Sequence, residues 1–229
     1  MSNSSSQAEA KTNGLLALVG SGEYLPIMSG FEAKLLLAGN SQKYVQLATA
    51  AGQESDDRLH YWQKVGQEQG DRIGADVDFI PVFTRDDANN PDFAARIDGA
   101  GLIYLSGGNP SYLAATLKGT LVWEAIERNW RSGSSLAGCS AGAMAMHDLG
   151  VIPHIRVIPH YDKYFRWFPD AAARIVAKIM DGVWVIGIDE KTAIFTSDQR
   201  EWEVVGSAKV HLLHGGPAGK YESGSKITL

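Results

Sequence analysis

The run Gly138-Cys139-Ser140-Ala141-Gly142 carries the clearest chemistry in this sequence. It follows a short apolar stretch at 135–137 and opens a run of small and helix-forming residues from Ala141 to Met146. Gly-x-Ser-x-Gly between a strand and a helix is the pattern of a nucleophile elbow. The flanking glycines permit a sharp turn that lifts the central side chain out of a sheet. The N–H of Ala141 then faces the same space as the Ser140 hydroxyl. A helix N-terminus adds positive partial charge where an oxyanion would form. Ser140 is therefore the candidate nucleophile. Cys139, the chain's one cysteine, offers a rival thiol. The elbow favours the central position, so Cys139 reads as a small hydrophobe turned into the sheet.

A serine nucleophile needs a base. The chain has six histidines: His60, His147, His154, His160, His211 and His214. His60 falls on an exposed helical pattern, and His147 ends the elbow helix. His154 and His160 lie in a proline-containing segment after that helix. No pair has a convincing zinc spacing, and one cysteine excludes a cysteine-rich zinc site or an internal disulfide. No metal is expected. No cofactor is expected either: Gly20-Ser21-Gly22 lacks the third glycine of a dinucleotide fingerprint, and no Gly-Lys-Ser/Thr follows a strand.

The elements that position these residues can be read from apolar runs. Runs at 15–19, 44–48, 77–82, 102–105 and 135–137 read as short strands. Helical patterns at 56–69, 91–97, 110–117 and 121–131 lie between them. Continuous apolar strands alternating with helices indicate βαβ units and a parallel sheet buried on both faces. The expectation is an α/β three-layer sandwich around a mostly parallel, doubly wound sheet. After Gly150 a helix is expected at 170–180. Strands at 183–188, 192–196, 202–205 and 209–213 should then form a meander closing one sheet edge. Residues 1–13 read as a disordered tail and 14–229 as a single domain. Glycine is the compositional outlier, with 25 residues of 229. Gly20/Gly22, Gly52, Gly107/Gly108 and Gly138 fall where strands end, which is where an open parallel sheet binds its ligands.

Several segments together resemble the serine peptidases that include cyanophycinase and the aspartyl dipeptidase. They are Leu18-Val19-Gly20-Ser21-Gly22-Glu23, Leu105-Ser106-Gly107-Gly108-Asn109-Pro110, the elbow itself, Ile158-Pro159-His160-Tyr161-Asp162 and Gly187-Ile188-Asp189-Glu190-Lys191-Thr192-Ala193. The resemblance implies a class I glutamine-amidotransferase-like, flavodoxin-like α/β fold. It implies Ser140 as nucleophile and His160 as general base. Gly108 would supply an oxyanion N–H opposite that of Ala141, with Gly107 and Asn109 beside the substrate. The better-known relatives carry the triad acid in a longer segment between serine and histidine. Here His160 follows Ser140 by only 20 positions. The acid must come from elsewhere: Asp162 is the first choice, Glu190 the second and Asp148 the third.

The resemblance and the elbow point to a serine-type peptidase acting on a small peptide or amide. Two other readings remain: a weak or inactive relative that binds a small ligand in the same cleft, and an amidotransferase-like domain using Cys139. The aromatic run from Lys163 to Phe168 could wall a substrate site or form a homodimer contact, and Lys163 or Arg166 could meet a substrate carboxylate. The formal net charge of −5 argues against nucleic acid as a partner. No run reaches the roughly 18 apolar residues of a membrane span, and no signal sequence opens the chain, so the expected location is cytoplasmic.

Overall fold

The computed structural model describes residues 13–167 and 182–229. Along the chain lie β1 (Leu16–Val19), α1 (Ser29–Ala38), β2 (Lys43–Leu47), α2 (Asp56–Ile73), β3 (Asp76–Phe79), α3 (Arg85–Ala88), α4 (Pro91–Ala95), β4 (Leu102–Leu105), α5 (Pro110–Leu117), α6 (Leu121–Arg131) and β5 (Ser135–Cys139). Then come α7 (Ala141–Asp148), β6 (Ile155–Ile158), α8 (Tyr161–Trp167), β7 (Trp184–Ile188), β8 (Thr192–Thr196), β9 (Glu201–Gly206), β10 (Val210–His214), β11 (Gly219–Tyr221) and β12 (Lys226–Thr228).

The main sheet runs β12-β9-β8-β1-β5-β4-β2-β3. From β1 to β3 every neighbouring pair is parallel. The central strands β1, β4 and β5 are almost wholly apolar and buried because both their faces are covered, whereas the edge strand β3, Asp-Val-Asp-Phe, is only partly buried. Leu16, Leu18, Val45, Leu47, Ile103, Leu105 and Leu136 face one core with residues of α5, α6 and α7. Ala17, Val19, Tyr44, Leu102, Tyr104, Ala137 and Cys139 face the other, against α1. Each fully buried aliphatic side chain contributes roughly 1.5–3 kcal/mol to folding, so the alternation fixes the register firmly. This is the expected α/β sandwich.

The C-terminal strands depart from the expected meander. Only β8, β9 and β12 extend the main sheet, antiparallel beyond β1. Strands β7 and β10 instead join a second sheet, ordered β11-β10-β7-β6. Its β6 pairs in parallel with β7, aligning Ile158 with Gly187. The expected 170–180 helix lies outside the described residues, as do all but one residue of the expected N-terminal tail. Among the described residues, no helix is long and apolar enough to cross a membrane.

Candidate active site

Strand β5 ends at Cys139 and helix α7 begins at Ala141, which leaves Ser140 alone on the turn. Its backbone sits at φ 50°, ψ −109°, a region that costs a non-glycine residue on the order of 1–3 kcal/mol and persists only under strong surrounding constraint. Packing supplies that constraint. A Cβ on Gly138 would lie 2.5 Å from the backbone of Gly142, so the strand and the first turn of α7 touch where only glycine fits. The Ser140 hydroxyl does not cap the helix it precedes. It meets His160 Nε2 at 2.9 Å instead.

His160 lies just past the end of β6, also with positive φ, at 49°. Its other ring nitrogen, Nδ1, is 3.0 Å from Glu190 Oε1. A carboxylate only accepts, so Nδ1 carries the hydrogen and Nε2 is left to accept from Ser140. The carboxylate that faces His160 is therefore that of Glu190, the second choice, and not that of Asp162, the first. The Asp162 carboxylate accepts the backbone N–H of Glu190 at 3.0 Å and so holds the loop that carries the acid. Asp148 stands exposed at the end of α7. Sheet pairing explains the placement of Glu190: β6 and β7 run parallel in register, so the residues just past their ends emerge side by side.

Lys163 also differs from its expected role. Its ammonium lies 2.6 Å from Glu190 Oε2, the oxygen that His160 does not use. Burial by itself pushes the Glu190 carboxyl up. Hydrogen bonds from Lys163 and His160, with their positive charge, outweigh burial and hold it below the ordinary carboxylate range. The side chains of Arg166 and its two neighbours in α8 lie outside the described residues.

The residues expected to form the oxyanion side lie in the loop after β4. Gly108 adopts φ 138°, and a Cβ there would lie 2.4 Å from the carbonyl oxygen of Ala50. Glycine is thus required by both conformation and space. Among the described residues its N–H has no hydrogen-bond partner. The Ala141 N–H, at the first position of α7, has no acceptor within the helix. The Gly107 backbone runs beside the nucleophile, where a Cβ would lie 3.5 Å from Ser140 Cβ. Two expected substrate contacts have other partners. The Gly107 N–H donates to Glu23 Oε1 at 3.0 Å. The Asn109 side chain caps α5 by accepting from Tyr112 N at 3.1 Å.

Cys139 is fully buried, and burial pushes its thiol well above the ordinary range, with the nearby Glu23 charge adding to the shift. Its Sγ–H donates to Glu23 Oε2 at 2.8 Å. A buried, protonated thiol is a poor nucleophile. Three of the other histidines have their own surroundings: His60 is exposed on α2, His147 meets the Ile155 carbonyl, and His211 pairs with Asp189. Among the described residues, no group of three or more His, Cys, Asp or Glu is placed to hold a metal ion. A cavity of about 420 Å³ opens near the elbow, lined in part by Pro110, Met144, Pro159 and Tyr164. Met144 N bonds the Ser140 carbonyl and Tyr164 N bonds that of His160, so these two lining residues stand one helical turn from the serine and the histidine.

A serine on a strained strand-to-helix turn of a flavodoxin-like α/β fold is the arrangement of a nucleophile elbow. The model of peptidase family S51 matches residues 16–154, more than half of the chain, and the protein belongs to that family. A crystal structure of a peptidase from an acI-B1 Actinobacterium is similar over 96% of this chain and 98% of that one, with 43% identity and a TM-score of 0.90. A putative peptidase E protein from Listeria monocytogenes EGD-e shares the fold at 17% identity, with a TM-score of 0.64 over 86% of this chain and all of that one. Cyanophycinase of Synechococcus elongatus is 27% identical over 202 residues, covering 77% of this chain. The chain spans 60% of the length of that relative.

Proposed function

We propose that this protein is a serine-type peptidase that hydrolyses a small peptide or related amide through Ser140, His160 and Glu190. The observation that carries the proposal is the continuous line from Ser140 Oγ through both ring nitrogens of His160 to Glu190, at 2.9 and 3.0 Å. As Ser140 Oγ attacks the scissile carbonyl carbon, its proton passes to His160 Nε2. The resulting imidazolium is stabilised by the Glu190 carboxylate. The carbonyl oxygen becomes an oxyanion between the N–H groups of Gly108 and Ala141. Losing one such donor typically slows turnover by roughly 10²–10³. The tetrahedral intermediate collapses, the carbon–nitrogen bond breaks, and His160 returns its proton to the leaving amine. Water, activated by the same histidine, then releases the acyl group and restores Ser140.

The inactive-relative reading rested on an acid that could not be identified. Glu190, in the turn after β7, supports the catalytic reading over that one by facing His160 Nδ1 at 3.0 Å. The Cys139 reading loses its support to the thiol's burial and its bond to Glu23. The cavity beside Met144 and Tyr164 is where a substrate side chain would sit. The test is labelling by a fluorophosphonate serine probe together with hydrolysis of a peptide panel. Wild type should label and cleave, and Ser140→Ala should do neither. Equal labelling of both proteins, or of neither, refutes the proposal.

A further inference from the structure

We infer that Glu23 is a positioning residue for this reaction, locking the oxyanion loop to the nucleophile elbow. The inference rests on the serine-peptidase reading above. Glu23 lies in the loop after β1, and its two carboxylate oxygens point to two different parts of the site. One takes the N–H of Gly107, the residue before the candidate oxyanion donor. The other takes the thiol of Cys139, the residue before the nucleophile. A single side chain thus bridges the ends of β4 and β5 immediately upstream of the two groups that must meet at the substrate carbonyl.

The loop that carries Glu23 is itself fixed to the acid. Gly20 N donates to Thr192 O at 2.9 Å, and Lys191 N donates to Ser21 O at 3.1 Å. These bonds join the β1 loop to the turn that carries Glu190. The next residue, Tyr24, is buried, and its hydroxyl bonds Ser106 Oγ at 2.8 Å, one position before Gly107. The loops bearing the oxyanion donor, the nucleophile and the acid therefore share one hub, and Glu23 hydrogen-bonds both Gly107 and Cys139.

Geometry explains why the hub bears on catalysis. An oxyanion donor works only when held about 2.7–3.1 Å from where the oxygen will be. Gly107 and Gly108 lack side chains that could anchor their backbone, and glycine is the most conformationally free residue. The Gly107 backbone is gripped between Glu23 and Ser140: a Cβ there would lie 2.9 Å from Glu23 Oε1 and 3.5 Å from Ser140 Cβ. With the Gly107 N–H held by Glu23, the following peptide unit is oriented and the Gly108 N–H is left to the substrate. Cys139 then serves as a hydrogen donor to the hub, which gives its buried thiol a role without nucleophilic chemistry.

The test compares wild type, Glu23→Gln, Glu23→Asp, Glu23→Ala and Cys139→Ser, with Ser140→Ala as the control for the reaction itself. The readouts are kcat and KM on a cleaved peptide, the rate of fluorophosphonate labelling, the pH profile and the melting temperature. Glu23→Ala and Glu23→Asp, whose side chains cannot span Gly107 and Cys139, should lower kcat and labelling by about 10–100-fold, somewhat less than outright loss of a donor. KM should stay within about threefold and the pH inflections should not move, because the His160–Glu190 pair is intact. Glu23→Gln keeps an acceptor for the Gly107 N–H, and Cys139→Ser keeps a donor, so each should retain at least about fivefold more activity than Glu23→Ala. Should Glu23→Ala not fold, the Glu23→Gln and Glu23→Asp pair decides alone. The inference is overturned if Glu23→Asp stays within twofold of wild type, if the loss falls on KM, or if the pH inflections shift. Full activity in Ser140→Ala would instead overturn the reading on which it rests.

Discussion

Glu190→Gln is the sharpest perturbation of the proposed mechanism, because it separates two neighbouring carboxylates by role. The carboxylate oxygen lies 3.0 Å from His160 Nδ1. At that separation and an effective dielectric constant of about 20, opposite unit charges attract by roughly 5 kcal/mol. Lys163 shares the carboxylate, and the side chain keeps 18% of its exposure. Both reduce the attraction, leaving a net effect of about 3–4 kcal/mol on the imidazolium formed during attack, or roughly 10²–10³ in kcat. The tautomer adds to the loss. A Gln amide can turn its NH₂ toward Nδ1, which places the ring hydrogen on Nε2, where it cannot take a proton from Ser140. A comparable change in another serine-protease triad costs about 10⁴. The expected fall for Glu190→Gln is therefore about 10²–10⁴ in kcat. Asp162→Asn removes a charge but keeps an oxygen for the Glu190 N–H, so its cost should stay below about fivefold. The assay is steady-state hydrolysis of a cleaved peptide, with melting curves confirming that both variants fold. If Asp162→Asn proves the more damaging, or Glu190→Gln loses less than tenfold, Glu190 is not the orienting acid.

Three further outcomes follow from the packing around the site. Gly138→Ala forces a Cβ to 2.5 Å from the Gly142 backbone; chemical denaturation should show a loss of about 2 kcal/mol or more, with serine labelling falling alongside. A stability loss under about 0.5 kcal/mol would show that the elbow has room to spare. Cys139 in the native protein should alkylate with iodoacetamide at least about 100-fold more slowly than in denaturant, since its thiol is buried and protonated; equal rates would contradict that burial. Glu32 is buried beneath Tyr24 N and the Tyr44 hydroxyl, and burial raises its pKa to about 7. The unfolded chain gives up this proton first, near 4.5, so the folded state binds more protons and stability falls as pH rises between those values. Glu32→Gln should abolish that slope, gaining on wild type by on the order of 3 kcal/mol between pH 4 and 8 in pH-dependent unfolding; parallel curves for the two proteins would refute it.

Much of the parallel sheet was legible because both its faces are buried. The runs that became β1 and β4 are apolar throughout, those that became β2 and β5 are mostly so, with Gln46 and Ser135 as buried polar exceptions, and the α5 and α6 helices begin at a proline after Asn109 and just past Thr120, both side chains being caps. Helix α1 was not legible. Its sequence SGFEAKLLLA buries Leu35 and Leu36 but leaves Leu37 exposed, so no single apolar stripe marks it. The third strand ended early, at Phe79 rather than 82. Ile80 and Val82 are buried all the same, and Pro81 between them has no N–H to give a ladder. The C-terminal strands were recognised one by one, but which sheet each would join depends on partners far away in the chain. Alternation within a strand carries no such information.

That last gap is also why the sequence put Asp162, not Glu190, beside His160. Asp162 is near His160 in sequence, but α8 begins immediately after the histidine, and one helical step carries Asp162 around toward the Glu190 backbone. Glu190 follows His160 by 30 positions and reaches it only because β6 and β7 are parallel neighbours. Their register sets Ile158 beside Gly187, so the two chains leave the sheet together and their loops converge beyond it. Gly187 assists by lacking a side chain: a Cβ there would lie 2.5 Å from the Tyr161 ring, which packs over the strand. Tyr161 also stacks on the neighbouring strand, its ring 4.5 Å from that of His211, which is paired with Gly187 across the sheet and bonds Asp189 beside Glu190. A long separation in sequence thus becomes a short, buttressed one in space. Gly187, which entered the sequence reading only as part of a family motif, is the residue whose missing side chain lets Tyr161, and with it the start of α8 beside His160, lie against β7.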